Sequence, residues 1–277
     1  MLIKIVSDSS SNILTSKGTP YASVPLKIVT KEREYVDNAA LDVAAMVEDL
    51  KSVKGRTGTS CPNVYEWKEA MRDADGVFAL TITSNLSGSY AAAMQAKAEL
   101  AEGCPEKRIS VIDTLSTGPE MQLLIEKLQA MIVAGKDFDT IDREVREYAK
   151  HTHLIFCLRS LTNLARNGRV NPLVAMVAGV LGIRVVGIAS TVGTLELLHK
   201  PRGSERALAV ILSVMKQGGY RGGKVRVAHC NNLKDAEQLA AMLRKQYENA
   251  EIEILPTTAL CSFYAEEGGL MIGYEDV

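Results

Sequence analysis

Val77-Phe78-Ala79-Leu80-Thr81-Ile82-Thr83-Ser84-Asn85-Leu86-Ser87-Gly88-Ser89-Tyr90, running on into an alanine-rich segment as far as Glu102, reads as a strand, a loop and a helix start in immediate succession. The apolar, β-favouring run gives way to hydroxyls and one glycine, and Ala91-Ala92-Ala93-Met94-Gln95 then favours helix strongly. Free amides at a helix start carry partial positive charge, and Ser84, Ser87 and Ser89 add hydroxyl donors, so the loop suits an anionic headgroup. A capping role accounts for any one such serine equally simply.

The same unit recurs on both sides. Ile3 to Val6 is a short strand followed by Ser7-Asp8-Ser9-Ser10-Ser11-Asn12, and Val24 to Val29 reads as a second strand. Leu41 to Lys51 has helical spacing. Gly55 to Pro62 is a further glycine and hydroxyl loop before a helix over Asn63 to Arg72. Arg108 to Ile112, the loop Asp113 to Pro119 and the helix Glu120 to Val133 repeat the pattern, and an amphipathic helix follows over Asp139 to Lys150. Strands alternating with helices predict a three-layer α/β/α domain on a parallel sheet over residues 1–150, with the hydroxyl loops gathered at the carboxyl edge of the strands.

After His151 the pattern changes. Strands are expected at Leu154 to Leu158, Lys224 to His229, Ile252 to Leu255 and Leu270 to Tyr274, the last as an exposed-looking edge. Helices are expected at Arg159 to Gly168, Leu173 to Leu181, Glu205 to Gln217 and Asp235 to Tyr247. A hairpin about Val192-Gly193 joins Ile183 to Ala189 with Thr194 to His199, giving antiparallel pairing that the first half lacks. This predicts a second, two-layer mixed-sheet α/β domain over residues 151–277. With no Pro/Gly/Ser-rich linker between the halves, a close interface holding the ligand is expected.

Composition narrows the partners. With 32 basic and 33 acidic residues the net charge is -1, which leaves no footprint for nucleic acid or an anionic membrane. Five scattered cysteines without a C-x-x-C pair fit reduced thiols and a cytoplasmic location. No signal-peptide pattern opens the chain, and Pro172 to Val192 is interrupted by Arg184, so no integral membrane segment is expected. His151 and His153 fall on one face of a strand with no third metal-ligand signal, and Ser87 lacks the surroundings of a nucleophile elbow, so neither a metal site nor a catalytic residue is expected.

Taken in order, Val6-Ser7-Asp8-Ser9, Thr59-Ser60-Cys61-Pro62, Ser84-Asn85-Leu86-Ser87-Gly88-Ser89-Tyr90, Val111-Ile112-Asp113-Thr114 and Asn167-Gly168-Arg169-Val170 resemble the DegV family of bacterial fatty-acid-binding proteins along nearly the whole chain. The resemblance implies no cofactor and no catalysis. It implies a long-chain fatty acid held between two domains and offered to a separate ATP-dependent fatty acid kinase that forms the acyl-phosphate for phospholipid synthesis. Carried over, Thr59 and Ser87 would bind the carboxylate, with Ser60 and the Gly88 amide adjacent and Arg169 at the mouth. Affinity would come from the tail, at roughly 0.8 kcal/mol per buried methylene. Tunnel candidates are Leu124, on the helix over Met121 to Ile132, and Leu173, Met176, Val177 and Val180; ordinary core packing explains the same residues. Arg169 could equally be an interdomain ion-pair residue.

The chain departs from the family near its end. Tyr264 stands where a histidine is common, with Glu266-Glu267 in place of Gly-Pro. A tyrosine can donate a hydrogen bond but is not a cation at neutral pH. The rival reading is a sugar-phosphate or other phosphate-ligand protein built on the same Ser/Gly loops, distinguished by polar rather than apolar surroundings for the rest of the ligand.

Overall fold

The parallel sheet is ordered β2-β1-β6-β7, built from β1 (Ile3–Asp8), β2 (Tyr21–Val24), β6 (Gly76–Thr81) and β7 (Arg108–Asp113), in a computed structural model that describes residues 1–172 and 182–277. Every residue of β6 is buried, as a central strand covered on both faces requires. On one face lie α2 (Val64–Met71) and α3 (Ser89–Gly103), whose Trp67, Met71, Ala93 and Ala96 share a core with Val6, Val77 and Ala79. On the other face lie α4 (Pro119–Val133) and α5 (Phe138–Tyr148), which join Ile5, Phe78 and Leu80 through Leu124, Leu128, Ile141 and Val145. Strand residues alternate between these two cores, so the expected three-layer α/β/α arrangement is present.

The second sheet is mixed and ordered β10-β9-β8-β13-β11-β12, comprising β8 (Thr152–Leu158), β9 (Val185–Ala189), β10 (Leu195–His199), β11 (Gly223–His229), β12 (Ala250–Pro256) and β13 (Leu270–Glu275). Only β11 and β12 pair in parallel; the β9–β10 hairpin turns through Val192-Gly193 as expected. One face is covered by α7 (Ser204–Gln217) and α8 (Leu233–Gln246). The opposite face turns toward the first half of the chain, and α4 packs against β8, β11 and β13 as well as β1. One helix thus serves both sheets.

Three expectations need correction. The strand expected over Val24 to Val29 is two strands, because Pro25 lacks the amide a continuous ladder needs; β3 (Lys27–Val29) leaves the parallel sheet and pairs antiparallel with β4 (Glu34–Val36) and β5 (Gly58–Ser60). Antiparallel pairing is therefore not confined to the second half. Leu270 to Tyr274 is no edge: β13 lies inside the mixed sheet, paired with β8 and β11. A seven-residue helix, α9 (Ala259–Ala265), was not anticipated. The shorter helices α1 (Val43–Ser52) and α6 (Thr162–Arg166) fall where helices were expected.

Candidate functional site

Parallel pairing brings the carboxyl ends of β1, β6 and β7 to one edge, and the loops there interlock. Ser10 O accepts the Gly118 amide at 2.7 Å, and Ser116 O accepts the Thr83 amide at 2.9 Å. Asp113 Oδ1 takes the amides of Ser84 and Leu115, at 3.1 and 3.2 Å. From the other half, the β9–β10 turn seats on the same loop: Thr83 Oγ1 donates to Gly193 O at 2.8 Å and Asn85 Nδ2 to Val192 O at 2.6 Å. Gly193 has φ +74°, and a Cβ there would lie 2.2 Å from Thr83 Oγ1, so both backbone hand and space demand glycine.

Between these loops and the inner face of the mixed sheet is a cavity of about 300 Å³. Its apolar part is lined by Leu154, Phe156 and Leu158 of β8, Met271 of β13, Leu195 of β10, Leu164, and Leu26, Ile82 and Leu260. Its polar part collects Thr59, Ser60, Ser87, Gly88, Arg169 and Tyr264, all six positions singled out in the sequence for the headgroup and the mouth. Thr59 lies on β5, which the sequence reading placed in a loop.

The polar groups are arranged as donors. Ser87 Oγ accepts the Ser89 amide at 3.3 Å, which occupies a lone pair and leaves the hydroxyl proton free. Gly88 is the N-cap of the 15-residue α3 and offers no side-chain cap, so the positive end of that helix meets the cavity lining. Thr59 Oγ1 and Tyr264 OH are 2.7 Å apart; only one of their two protons can lie between them, and the other remains to be donated. Burial pushes the Tyr264 phenol above its usual range despite the Thr59 bond and nearby Arg169, so it stays neutral at physiological pH. Arg169 is engaged by carbonyls rather than by a carboxylate: Nε donates to Leu86 O at 3.2 Å, Nη1 to Asn167 O at 2.6 Å, and its guanidinium carbon lies 5.9 Å from the Tyr264 ring centroid. Among the described residues no acidic side chain lies within 4 Å of it, and the bonds it makes are to carbonyls.

The helix that supplies Tyr264 is held by the first half of the chain. Asp37 Oδ1 accepts the Ala259 amide at 2.9 Å, Asp37 Oδ2 accepts the Leu260 amide at 3.0 Å, and Asn12 Oδ1 accepts the Thr258 amide at 3.0 Å. Burial raises the Asp37 carboxyl above its ordinary value even with these bonds. No sequence pattern pointed to Asp37 or Asn12, because their partners lie more than 200 residues away.

Other candidates fall elsewhere. Leu124 is buried in the core between α4 and the parallel sheet and does not line the cavity, because its side of α4 faces β1 and β6. Leu173, Met176, Val177 and Val180 lie outside the described residues. Glu266 and Glu267 do not crowd the polar end: Glu266 Oε1 accepts the Asn163 amide at 3.0 Å, and Glu267 pairs with Lys51 Nζ at 2.8 Å. His151 and His153 each bond one oxygen of Asp276 at 2.9 Å, in a clamp on the chain end. Among the described residues no histidine lines the cavity, and no cluster of three or more His, Cys, Asp or Glu is placed to hold a metal ion. Nor is any described helix long and apolar enough to cross a membrane.

Fold and site define an α/β protein whose apolar cavity, enclosed between a parallel-sheet half and a mixed-sheet half, ends at a set of hydroxyl and amide donors. A family model described as "Uncharacterised protein, DegV family" matches residues 2–276, and a DegV domain-containing protein of Streptococcus gordonii is 40% identical over 279 residues, covering 99% of each chain. The chain belongs to the DegV family. Among solved structures, it is similar to the Streptococcus pneumoniae Fatty Acid Kinase (Fak) B3 protein loaded with linoleic acid, at TM-score 0.98 and 40% identity, with all of both chains covered. A DegV family protein from Eubacterium eligens loaded with heptadecanoic acid superposes with TM-score 0.97 at 40% identity, over 99% of this chain and 100% of that one.

Proposed function

We propose that this protein binds a long-chain fatty acid, with the acyl chain in the cavity and the carboxylate on Thr59, Ser87 and the amide end of α3, and presents it to a separate ATP-dependent fatty acid kinase. The observation that carries the reading is the polarity of the cavity: leucines, Phe156 and Met271 along its length, hydroxyl donors and Arg169 at one end. Ser60, the Gly88 amide and Tyr264 complete the headgroup end, and the ligand lies between an N-terminal domain, residues 1–150, and a C-terminal domain, residues 151–277. The relatives that carry linoleic and heptadecanoic acid support the ligand class, and the Fak B3 relative supports the kinase partner. A sugar phosphate would need polar partners along its whole length, and the apolar part of the cavity supplies few. Phosphoryl transfer is then the step of the separate kinase, a division of labour that the Fak B3 relative supports. Such a carrier works in the cytoplasm, where the kinase finds its ATP.

Native mass spectrometry of protein purified from a bacterial host, followed by denaturation and identification of the released molecule, tests the reading. A long-chain fatty acid adduct is expected. A clean apo mass with no uptake of added fatty acid overturns it. Ser87→Ala should then weaken retention about tenfold, the equivalent of one hydrogen bond to a charged group, read as faster transfer to an acceptor vesicle. Unchanged retention removes Ser87 from the headgroup site.

A further inference from the structure

The Ser84–Gly88 loop is not held by its own sequence alone. Asp8, at the end of β1, is fully buried, and its carboxylate takes four hydrogen bonds from two directions. Oδ2 accepts the Ile82 amide at 2.9 Å and the Ser89 hydroxyl at 2.7 Å; Oδ1 accepts the Ser10 hydroxyl at 2.5 Å and the Ser10 amide at 3.3 Å. The first pair grips the loop at both ends, where it leaves β6 and where it enters α3. Ser89 then passes the constraint on, because its amide donates to Ser87 Oγ.

We propose that Asp8 is a positioning residue of the headgroup site, which fixes the Ile82–Ser89 loop so that Ser87 points its proton into the cavity, and whose own charge opposes that of a bound carboxylate. The inference rests on the fatty-acid reading and adds to it a coupling between ligand charge and one buried acid. Two serines, Ser89 and Ser87, link Asp8 to the proposed headgroup position, and Asp8 and Ser89 are fully buried, where like charges repel more than in water. Among the described residues no cation pairs with Asp8. The groups around it leave its charge uncompensated. Tyr21 of β2, bonded to Ser7 and pushed up to about 12 by burial, is neutral, as is Cys261 of α9, whose thiol is driven well up by burial and by Asp37 and Asp8. Asp37, across the Ser9–Ser11 turn, is a second buried acid, and α4 contributes the Met121 thioether, whose sulfur lies 3.2 Å from the Ser10 hydroxyl oxygen. Arg169, the cation among the cavity-lining residues, bonds Leu86 O and is not paired with Asp8.

The direction of the effect follows from burial, which pushes the Asp8 carboxyl up to about 6 against its four hydrogen bonds. Below that pH the acid is neutral and a carboxylate ligand meets no opposing charge; above it both are ionised. Binding of an anionic ligand should therefore weaken as pH rises through Asp8's titration, while an uncharged ligand of the same length should be indifferent to it.

The test is a pair of titrations of the full chain with hexadecanoic acid and with hexadecanol, from about pH 5.5 to about pH 7.5, a window in which a free carboxylic acid is ionised throughout. The wild-type dissociation constant for the acid is expected to rise about fivefold across the window, with that for the alcohol flat. Asp8→Asn should flatten the acid's profile, a change that mere loss of loop order would not produce. Equal pH dependence for acid and alcohol overturns the proposal even if Asp8→Asn does not fold, and so does an Asp8→Asn variant that keeps the wild-type slope. Failure of the fatty-acid reading looks different: neither ligand is bound at any pH, and Asp8 then positions no headgroup.

Discussion

Gly273→Ala is expected to lower the melting temperature by about 5–10 °C, from a destabilisation of about 3 kcal/mol. Gly273 sits in β13 opposite Leu154 of β8, where the strand passes directly over the first turn of α4. A Cβ there would lie 2.5 Å from the carbonyl carbon and oxygen of Pro119 and 2.6 Å from the Glu120 nitrogen. All three are backbone atoms, so no rotamer change relieves the clash; strand and helix must separate. That separation opens the seam where α4 joins the two sheets, and it moves Leu154, which lines the cavity. Ligand retention should fall together with stability. A melting temperature within about a degree of wild type, read by circular dichroism or calorimetry, means that the α4–β13 contact yields freely and that the cavity floor is not fixed by it.

Asp37→Ala should cost nearly as much, by a different mechanism. The side chain satisfies the Ala259 and Leu260 amides of α9, the Thr258 hydroxyl oxygen lies 3.3 Å away, and all of these groups are buried. An alanine leaves two helix-start amides without an acceptor, at about 1–3 kcal/mol for each group. Part of this is offset, because burial raises the Asp37 carboxyl above its unfolded value and holding it charged is itself unfavourable. The sign is that of a raised acid: the folded state binds the proton more tightly than the unfolded one, so this group favours folding most at low pH and loses that contribution as pH climbs through its folded value. A net loss of about 2–3 kcal/mol at neutral pH is expected for Asp37→Ala in chemical denaturation. Asp37→Asn, which keeps one acceptor and carries no charge, should be the milder change. If the two variants are equally stable at neutral pH, the amide caps are not what Asp37 contributes. Because α9 carries Leu260, Cys261 and Tyr264 into the cavity lining, loss of its anchor should also shorten ligand retention.

Neither position is marked by a local pattern in the sequence. The alternation of strand, hydroxyl loop and helix is a local signal, since side-chain periodicity and helix-start chemistry act within a few residues. It led to the three-layer first half, to the hairpin at Val192-Gly193, and to the loops that hold Thr59, Ser60, Ser87 and Gly88, whereas Arg169 and Tyr264 came only with the family resemblance; the fold brings all six together around one cavity. The family resemblance contributed the same six positions from motif order rather than from contact. Where the sequence misled, it did so because a local pattern has two outcomes. Val24 to Val29 is continuous in β-forming residues, yet Pro25 divides it between two sheets. Leu124 is apolar on a helix that is buried against both sheets, and only packing decides which sheet it faces.

The sequence by itself determined most of the strands and helices, the anion-suited loops and the apolar supply for two cores, because each depends on interactions among near neighbours in the chain. Only the tertiary structure decided that β13 lies inside the mixed sheet, that α4 is shared, and that Phe156 and Met271, cross-strand partners 115 positions apart, line the cavity side by side. It alone joined Thr59 to Tyr264 across 205 positions and Asp37 to the start of α9 across 222. Such contacts form when distant segments are pressed together by burial of apolar surface, and a buried carboxylate or hydroxyl then takes whichever donor the packing puts within reach.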